Sequence, residues 1–219
     1  MLAVPFAASY SAYAEEISVS ASGVDVKSEG DYEYIIQADG TASIYAYKGN
    51  GGNITLPSKL GGKKVTKVEE SVFDMNSSIT GVNIPDTITE LGDDCFAWTD
   101  IEKLVLPESV TTAANAFAGC EKLKSVDIRC KNMPEMYFTF WGCDSLTNVT
   151  VPGTVKKLTC AFASSAGLEK ATLKDGVEKI GYRCFGDCEK LKEVAIPASV
   201  TSISDNAFEN SPNVTIGQL

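Results

Sequence analysis

The stretch Cys184-Phe-Gly-Asp-Cys-Glu-Lys-Leu-Lys-Glu-Val-Ala-Ile-Pro-Ala-Ser-Val-Thr-Ser-Ile203 decides the fold, because its pattern recurs along the chain. Its phenylalanine belongs to a column made of Phe73, Phe96, Phe117, Phe140, Phe162, Phe185 and Phe208, spaced 21 to 23 residues apart. Its isoleucine before proline belongs to a second column, Ile84, Leu106, Ile128, Val151, Leu173 and Ile196, spaced 22 or 23 apart. Two columns that share a period mark a structural repeat.

The remaining apolar positions fall into line with these two. Ile79, Ile101, Leu123, Leu146, Leu168 and Leu191 form one column, and Val82, Leu104, Val126, Val149, Ala171 and Val194 the next. After the proline come Ile88, Val110, Met133, Val155, Val177 and Val200, then Leu91, Ala113, Met136, Leu158, Ile180 and Ile203. The Val-x-Ile step alternates with period 2, so both side chains point to one face of a short strand. Proline has no N–H to give a ladder and ends that strand. One coil cannot bury so many apolar side chains by itself, but stacked coils bury them against one another and pair their strands in parallel. The expected fold is a leucine-rich-repeat solenoid, mainly β, with turns or short helical segments closing each coil. At ~4.8 Å per strand, about seven coils make a rod ~30–35 Å long.

Outside the array the sequence changes character. Residues 1–14 are apolar and end in Ala12-Tyr-Ala14 before Glu15-Glu16, the remnant of an export signal. Residues 15–31 are rich in Ser, Gly and acidic residues and read as a flexible lead-in. In 32–62, two alternating segments flank Asp39-Gly40, a two-residue hairpin signal. That hairpin and the first coil it caps fill 32–62, and the array of about seven coils occupies 63–219.

Composition excludes much chemistry. The 219 residues carry 29 acidic and 19 basic side chains, a formal charge of −10, which disfavours phosphate backbones and anionic lipid. The absence of histidine removes Ser-His-Asp and Cys-His nucleophile systems and histidine-ligated zinc. No apolar run approaches the ~20 residues a membrane helix needs. Neither a cofactor nor a metal is expected, and the chain reads as a monomer. Of the seven cysteines, Cys120, Cys143 and Cys188 occupy one turn column that also holds Asn76, Thr99, Ser165 and Ser211. Small, weakly polar side chains there suit hydrogen bonds to the next coil's backbone, so buried thiols are expected rather than bridges.

The repeat unit, best seen in Ala116 to Val126 and Leu191 to Ile203, resembles the BspA-like leucine-rich repeat. The segment around Asp39-Gly40-Thr41, with Tyr47-Lys-Gly and Leu56-Pro57, is similar to the opening coil of that family. The resemblance covers roughly Tyr32 to Ile216 and implies a non-catalytic, secreted or cell-surface protein that adheres to a protein or a host extracellular surface component. Arg129-Cys130 and Lys174 depart from the pattern by replacing the proline.

The segment Arg129 to Trp141 departs furthest from the repeat. Tyr137, Phe138 and Trp141 exceed what a coil requires, and Trp98 and Tyr182 extend the same set. Regular coils place Ala97, Ala118, Ala163 and Gly186 beside the phenylalanine, so Trp141 in that column is expected to project outward as a partner-binding anchor. Packing under a loop is the competing account. A second function is also open, in which the solenoid is a spacer within a longer surface protein.

Overall fold

The computed structural model describes residues 24–218. The apolar leader 1–14 and the first part of the lead-in lie outside the described residues.

The chain winds into a β-solenoid of about eight turns. The count exceeds seven because Tyr47 takes the phenylalanine's place in the first coil: its ring lies 5.2 Å from that of Phe73. From Phe73 to Phe208 every ring stacks on the next at 4.5 to 5.8 Å, within 14° of parallel. Tyr32 of the cap adds a further ring against Tyr47 at 5.3 Å. An aromatic spine therefore runs the length of the stack.

Each coil has three sides. The front side carries the Val-x-Ile strands, which pair in parallel with their columns in register: Ser125 faces Lys103, and Asn148, Lys170, Glu193 and Thr215 follow one another. The back side carries shorter parallel strands at Glu135–Tyr137, Lys157–Thr159, Lys179–Ile180 and Ser202–Ile203. The third side is a ridge of tight turns centred on the phenylalanine. None of the described residues is helical, so turns alone close the coils. Most residues of the columns read from the sequence are buried; Ile84, Val126, Val200 and Phe208 are half-buried, and Ile203, on the final coil, is exposed.

Proline closes most of the front corners by a turn in which the N–H three residues on bonds back to it, as Ile88 N to Pro85 O at 3.0 Å and Val200 N to Pro197 O at 3.1 Å. The two departures have a physical reason. Arg129 N donates to Leu106 O and Lys174 N to Val151 O, both at 2.9 Å, extending the ladder by a rung that proline could not supply.

At the N-terminal end, Tyr32–Ile36 and Ala42–Tyr47 pair antiparallel, and the second strand continues in parallel onto Lys63–Val68. The loop has three residues rather than two: Gln37 N bonds Thr41 O at 2.8 Å, and Gly40 takes the left-handed conformation at φ 82°. Such a loop ends a type I turn with one left-handed residue. The cap also reaches into the expected lead-in, since Lys27–Glu29 pairs with Tyr32–Tyr34 as a further strand.

Candidate functional site: the aromatic corner of the turn ridge

The backbone of the ridge sets up the site. Eleven non-glycine residues have positive φ, and all stand two before or two after the spine phenylalanine, among them Asp94, Trp98, Asn115, Phe138 and Arg183. Gly119 and Gly142 fill the same place in two coils, at φ 68° and 67°. A left-handed residue costs ~1–2 kcal/mol when it carries a Cβ. The ridge offsets this by aiming alternate N–H groups along the stack. In the coil of Phe117, Asn115 N, Phe117 N and Gly119 N reach Tyr137 O, Thr139 O and Trp141 O of the next coil at 3.0, 3.1 and 2.7 Å. The turns thus form an intercoil ladder of their own, beside those of the sheets.

Trp98 stands on this ladder. Its N donates to Ala118 O at 2.8 Å, and its left-handed backbone, φ 56°, turns the side chain out of the coil, where it is 42% exposed. The indole lies flat over Gly119; a Cβ there would come within 2.4 Å of the ring. From that seat it reaches Trp141 two coils away, ring centres 5.9 Å apart and planes at 69°. Trp141 is half-buried, leaning on its neighbour, so it neither projects freely nor fills a gap inside its own coil. Met75, in the column of Trp98, is 63% exposed and extends the apolar edge by one coil.

The tyrosines lie on the other side of the ridge. Tyr137 ends a back-side strand and is 46% exposed, with its ring 4.8 Å from that of half-buried Phe138. Tyr182 is 52% exposed, and Thr159, which faces Tyr137 across the back sheet, occupies the coil between them. Among the described residues no ring contact joins Tyr137 or Phe138 to the tryptophans, and none reaches Tyr182. The five residues singled out in the sequence therefore form two pairs and a separate tyrosine rather than one patch. Sequence reading missed the seat of Trp98. Its signal was glycine at 119, in a column that holds glycine again at 142 and otherwise Met, Trp, Ser, Asp and Asn.

The cysteines serve the coil interior. Cys120, Cys143 and Cys188 Sγ donate to the carbonyls of Phe96, Phe117 and Phe162 in the preceding coil, at 3.2, 3.5 and 3.2 Å. Ser165 and Ser211 make the equivalent bond from the same column. The contact is structural, as expected, but runs to the coil before rather than to the next. All seven cysteines are buried, and burial pushes Cys120 up to about 11 and Cys130 and Cys188 up to about 12, which suppresses the nucleophilic thiolate.

Carboxylates crowd one end of the ridge. Asp94 is pushed up to about 6 by burial and by the charges of Asp74, Asp93 and Glu70. Burial likewise raises Asp74, whose Oδ1 is buried without a hydrogen-bond partner. Among the described residues no group of three or more Cys, Asp or Glu side chains is disposed to hold a metal ion. The front face carries small polar residues and intercoil ion pairs such as Lys124–Glu102 and Lys170–Glu193 at 2.8 and 2.9 Å. A shallow depression on it is lined by Val105, Pro107, Glu108 and Arg129, and there Arg129 is already engaged by Asp127.

Comparison with known proteins places this geometry. The family model described as the BspA type leucine-rich repeat region matches residues 42–159 and 159–217, in six copies. A leucine-rich repeat protein of T. pallidum has the same fold, with 24% identity over 81% of this chain and 85% of that one and a TM-score of 0.72. A leucine-rich cell surface protein of Faecalibacterium prausnitzii is 22% identical over 89% of this chain and 76% of that one, with a TM-score of 0.40. The pneumococcal vaccine antigen PcpA is 14% identical over 88% and 81%, with a TM-score of 0.45. No curated protein matches the chain significantly in sequence.

Proposed function

Because the chain belongs to the BspA-type leucine-rich repeat family, we propose that it is an extracellular, non-catalytic binding module that adheres to a protein or host-surface component through the turn ridge. Repeats of this family generally bind proteins, and among the described residues no helix is long and apolar enough to cross a membrane. The observation that carries the reading is Trp98. Its ring is exposed on a rigid intercoil ladder, seated on Gly119 and buttressed by Trp141. A preorganised, exposed tryptophan is the kind of side chain that dominates binding energy when a partner desolvates it. Tyr137, Phe138 and Tyr182, on the far flank, form a secondary contact. The module acts as a monomer.

The test is capture from a panel of host extracellular-matrix proteins and glycans by the immobilised chain, alongside Trp98→Ala and Tyr182→Ala. Loss of capture with Trp98→Ala and retention with Tyr182→Ala is expected. Equal capture by all three would move the contact away from Trp98, and no capture by any of them would leave the spacer reading, which the intercoil ladders favour, as the better account.

A further inference from the structure

The tryptophan pair has acidic company, and it is confined to the same coils. Two residues beyond Trp98, Gly119 and Gly142 stand Asp100, Glu121 and Asp144, one on each of the three consecutive coils that the two indoles span. The corresponding residues on the flanking coils are Ser77 and Ala166. Backbone bonds fix Glu121 and Asp144 close to the ridge: Glu121 N donates to Gly119 O at 2.7 Å and Asp144 N to Gly142 O at 3.1 Å. Asp100 is paired with Lys122 at 2.7 Å. Glu121 and Asp144 are exposed, and among the described residues neither has a cationic partner; one oxygen of Asp144, Oδ1, accepts from Ala166 N at 3.2 Å.

We propose that the Trp98–Trp141 corner and the carboxylates of Glu121 and Asp144 beside it recognise an arginine-bearing segment of a basic protein partner. The inference rests on the docking role proposed above and names the chemistry of the partner. A guanidinium is planar and weakly hydrated, so it stacks on an indole face while its edge donates to carboxylates. Two indoles at 69° form a corner rather than a flat platform, which suits a thin planar group lodged against one ring. A wholly apolar partner would cover Glu121 and Asp144 and strip their water without replacing it, at a cost that opposes docking. The formal charge of −10 draws a basic segment to the surface from a distance.

The chain contains two tryptophans, so its indole fluorescence reports this corner alone. The full chain is titrated with an end-blocked peptide of alternating glycine and arginine, and with the same peptide carrying citrulline, the uncharged isostere. A saturable fluorescence change with the arginine peptide is expected, weakened by salt, with the citrulline peptide roughly tenfold weaker or silent. The double variant Glu121→Gln, Asp144→Asn, both exposed and outside the core, should keep its melting temperature and lose affinity by about the same factor. Equal binding of both peptides, no saturable response to either, or full affinity in the double variant overturns the proposal. These outcomes are separable from failure of the docking role, which is read by capture with Trp98→Ala and needs no charged probe.

Discussion

The ridge coils of Phe162 and Phe117 share a backbone and differ in what they show to water. Both place left-handed residues two positions either side of the ring, Cys160 and Ser164 in one, Asn115 and Gly119 in the other. Both send three ridge N–H groups to the next coil. At Phe162 the outer turn residue is a serine, and its surface is small and plain. At Phe117 it is a glycine on which the indole of Trp98 from the preceding coil rests. The repeat holds the backbone constant while a single column at the outer turn varies, from exposed Met75 and Trp98 to Gly119 buried beneath the indole. Stability belongs to the shared part and recognition to the variable part, so perturbations of the two should separate.

The largest effect should come from the shared part. Phe162→Ala removes one ring from the spine, with neighbours 5.8 and 5.6 Å away on either side, and should cost ~3–5 kcal/mol. Thr150→Ala, on the exposed front face, should stay within ~0.5 kcal/mol. Urea denaturation midpoints check this, and similar midpoints for the two variants would break the assignment of columns to core and surface.

The variable column is tested by two glycines with the same φ. Gly119→Ala and Gly142→Ala each place a Cβ on a left-handed residue, for ~1–2 kcal/mol. Only Gly119→Ala also drives that Cβ into the Trp98 ring, whereas at Gly142 the nearest atom is 3.7 Å away, an ordinary contact. Both variants should lose stability, and only Gly119→Ala should shift the tryptophan emission. An emission shift of the same size in Gly142→Ala would mean that Gly119 is not the seat of the indole.

Much of this was legible in the sequence, for reasons particular residues make plain. Buried columns repeat because each coil must present the same apolar side chains to its neighbours, so Phe96 to Phe185 announce themselves. The first coil was legible only through its likeness to the opening coil of the family, because Tyr47 replaces the phenylalanine and the antiparallel pair Lys59–Leu60 and Lys63–Val68 lengthens the coil. The left-handed ridge was hidden. Intercoil hydrogen bonds enforce it on Cys160 and Phe138, residues with no intrinsic preference for that conformation. The site was half-legible. Trp98 and Trp141 stood out as excess, yet nearness in sequence grouped Trp141 with Tyr137, whereas the coil puts the ridge between them and joins Trp141 to a residue two coils back.

A smaller effect is expected at the crowded carboxylates. Asp94 sits at about 6 in the folded chain against 3.8 when unperturbed. The folded state therefore takes up this proton before the unfolded state does. Stability should rise as pH falls from 7 through 6, and the gain should level off below about 4. Allowing for solvent screening of a half-exposed carboxyl, the gain is on the order of 1 kcal/mol. Asp94→Asn should supply most of it at pH 7 and flatten the profile. A variant whose melting temperature tracks pH as steeply as the parent would assign the dependence to other groups.

The smallest effect should be that of reductant, and the reason lies in where the thiols point. Cys120, Cys143 and Cys188 each use Sγ to bond a phenylalanine carbonyl one coil back, the bond that Ser165 and Ser211 make with a hydroxyl. A bridge between column neighbours would have to abandon those bonds and swing both sulfurs along the stack. Melting temperatures with and without dithiothreitol should then agree within about two degrees, since a structural bridge is typically worth ~2–4 kcal/mol. Alkylation sharpens the point. Cys160 stands on the ridge itself, where burial raises it and the charge of Arg183 opposes the rise, while Cys95 and Cys184, next to the spine rings, are held well above the usual thiol range by burial. Iodoacetamide should label Cys160 first and the spine thiols only on unfolding, and early labelling of Cys184 would show that the spine opens where the ridge does not.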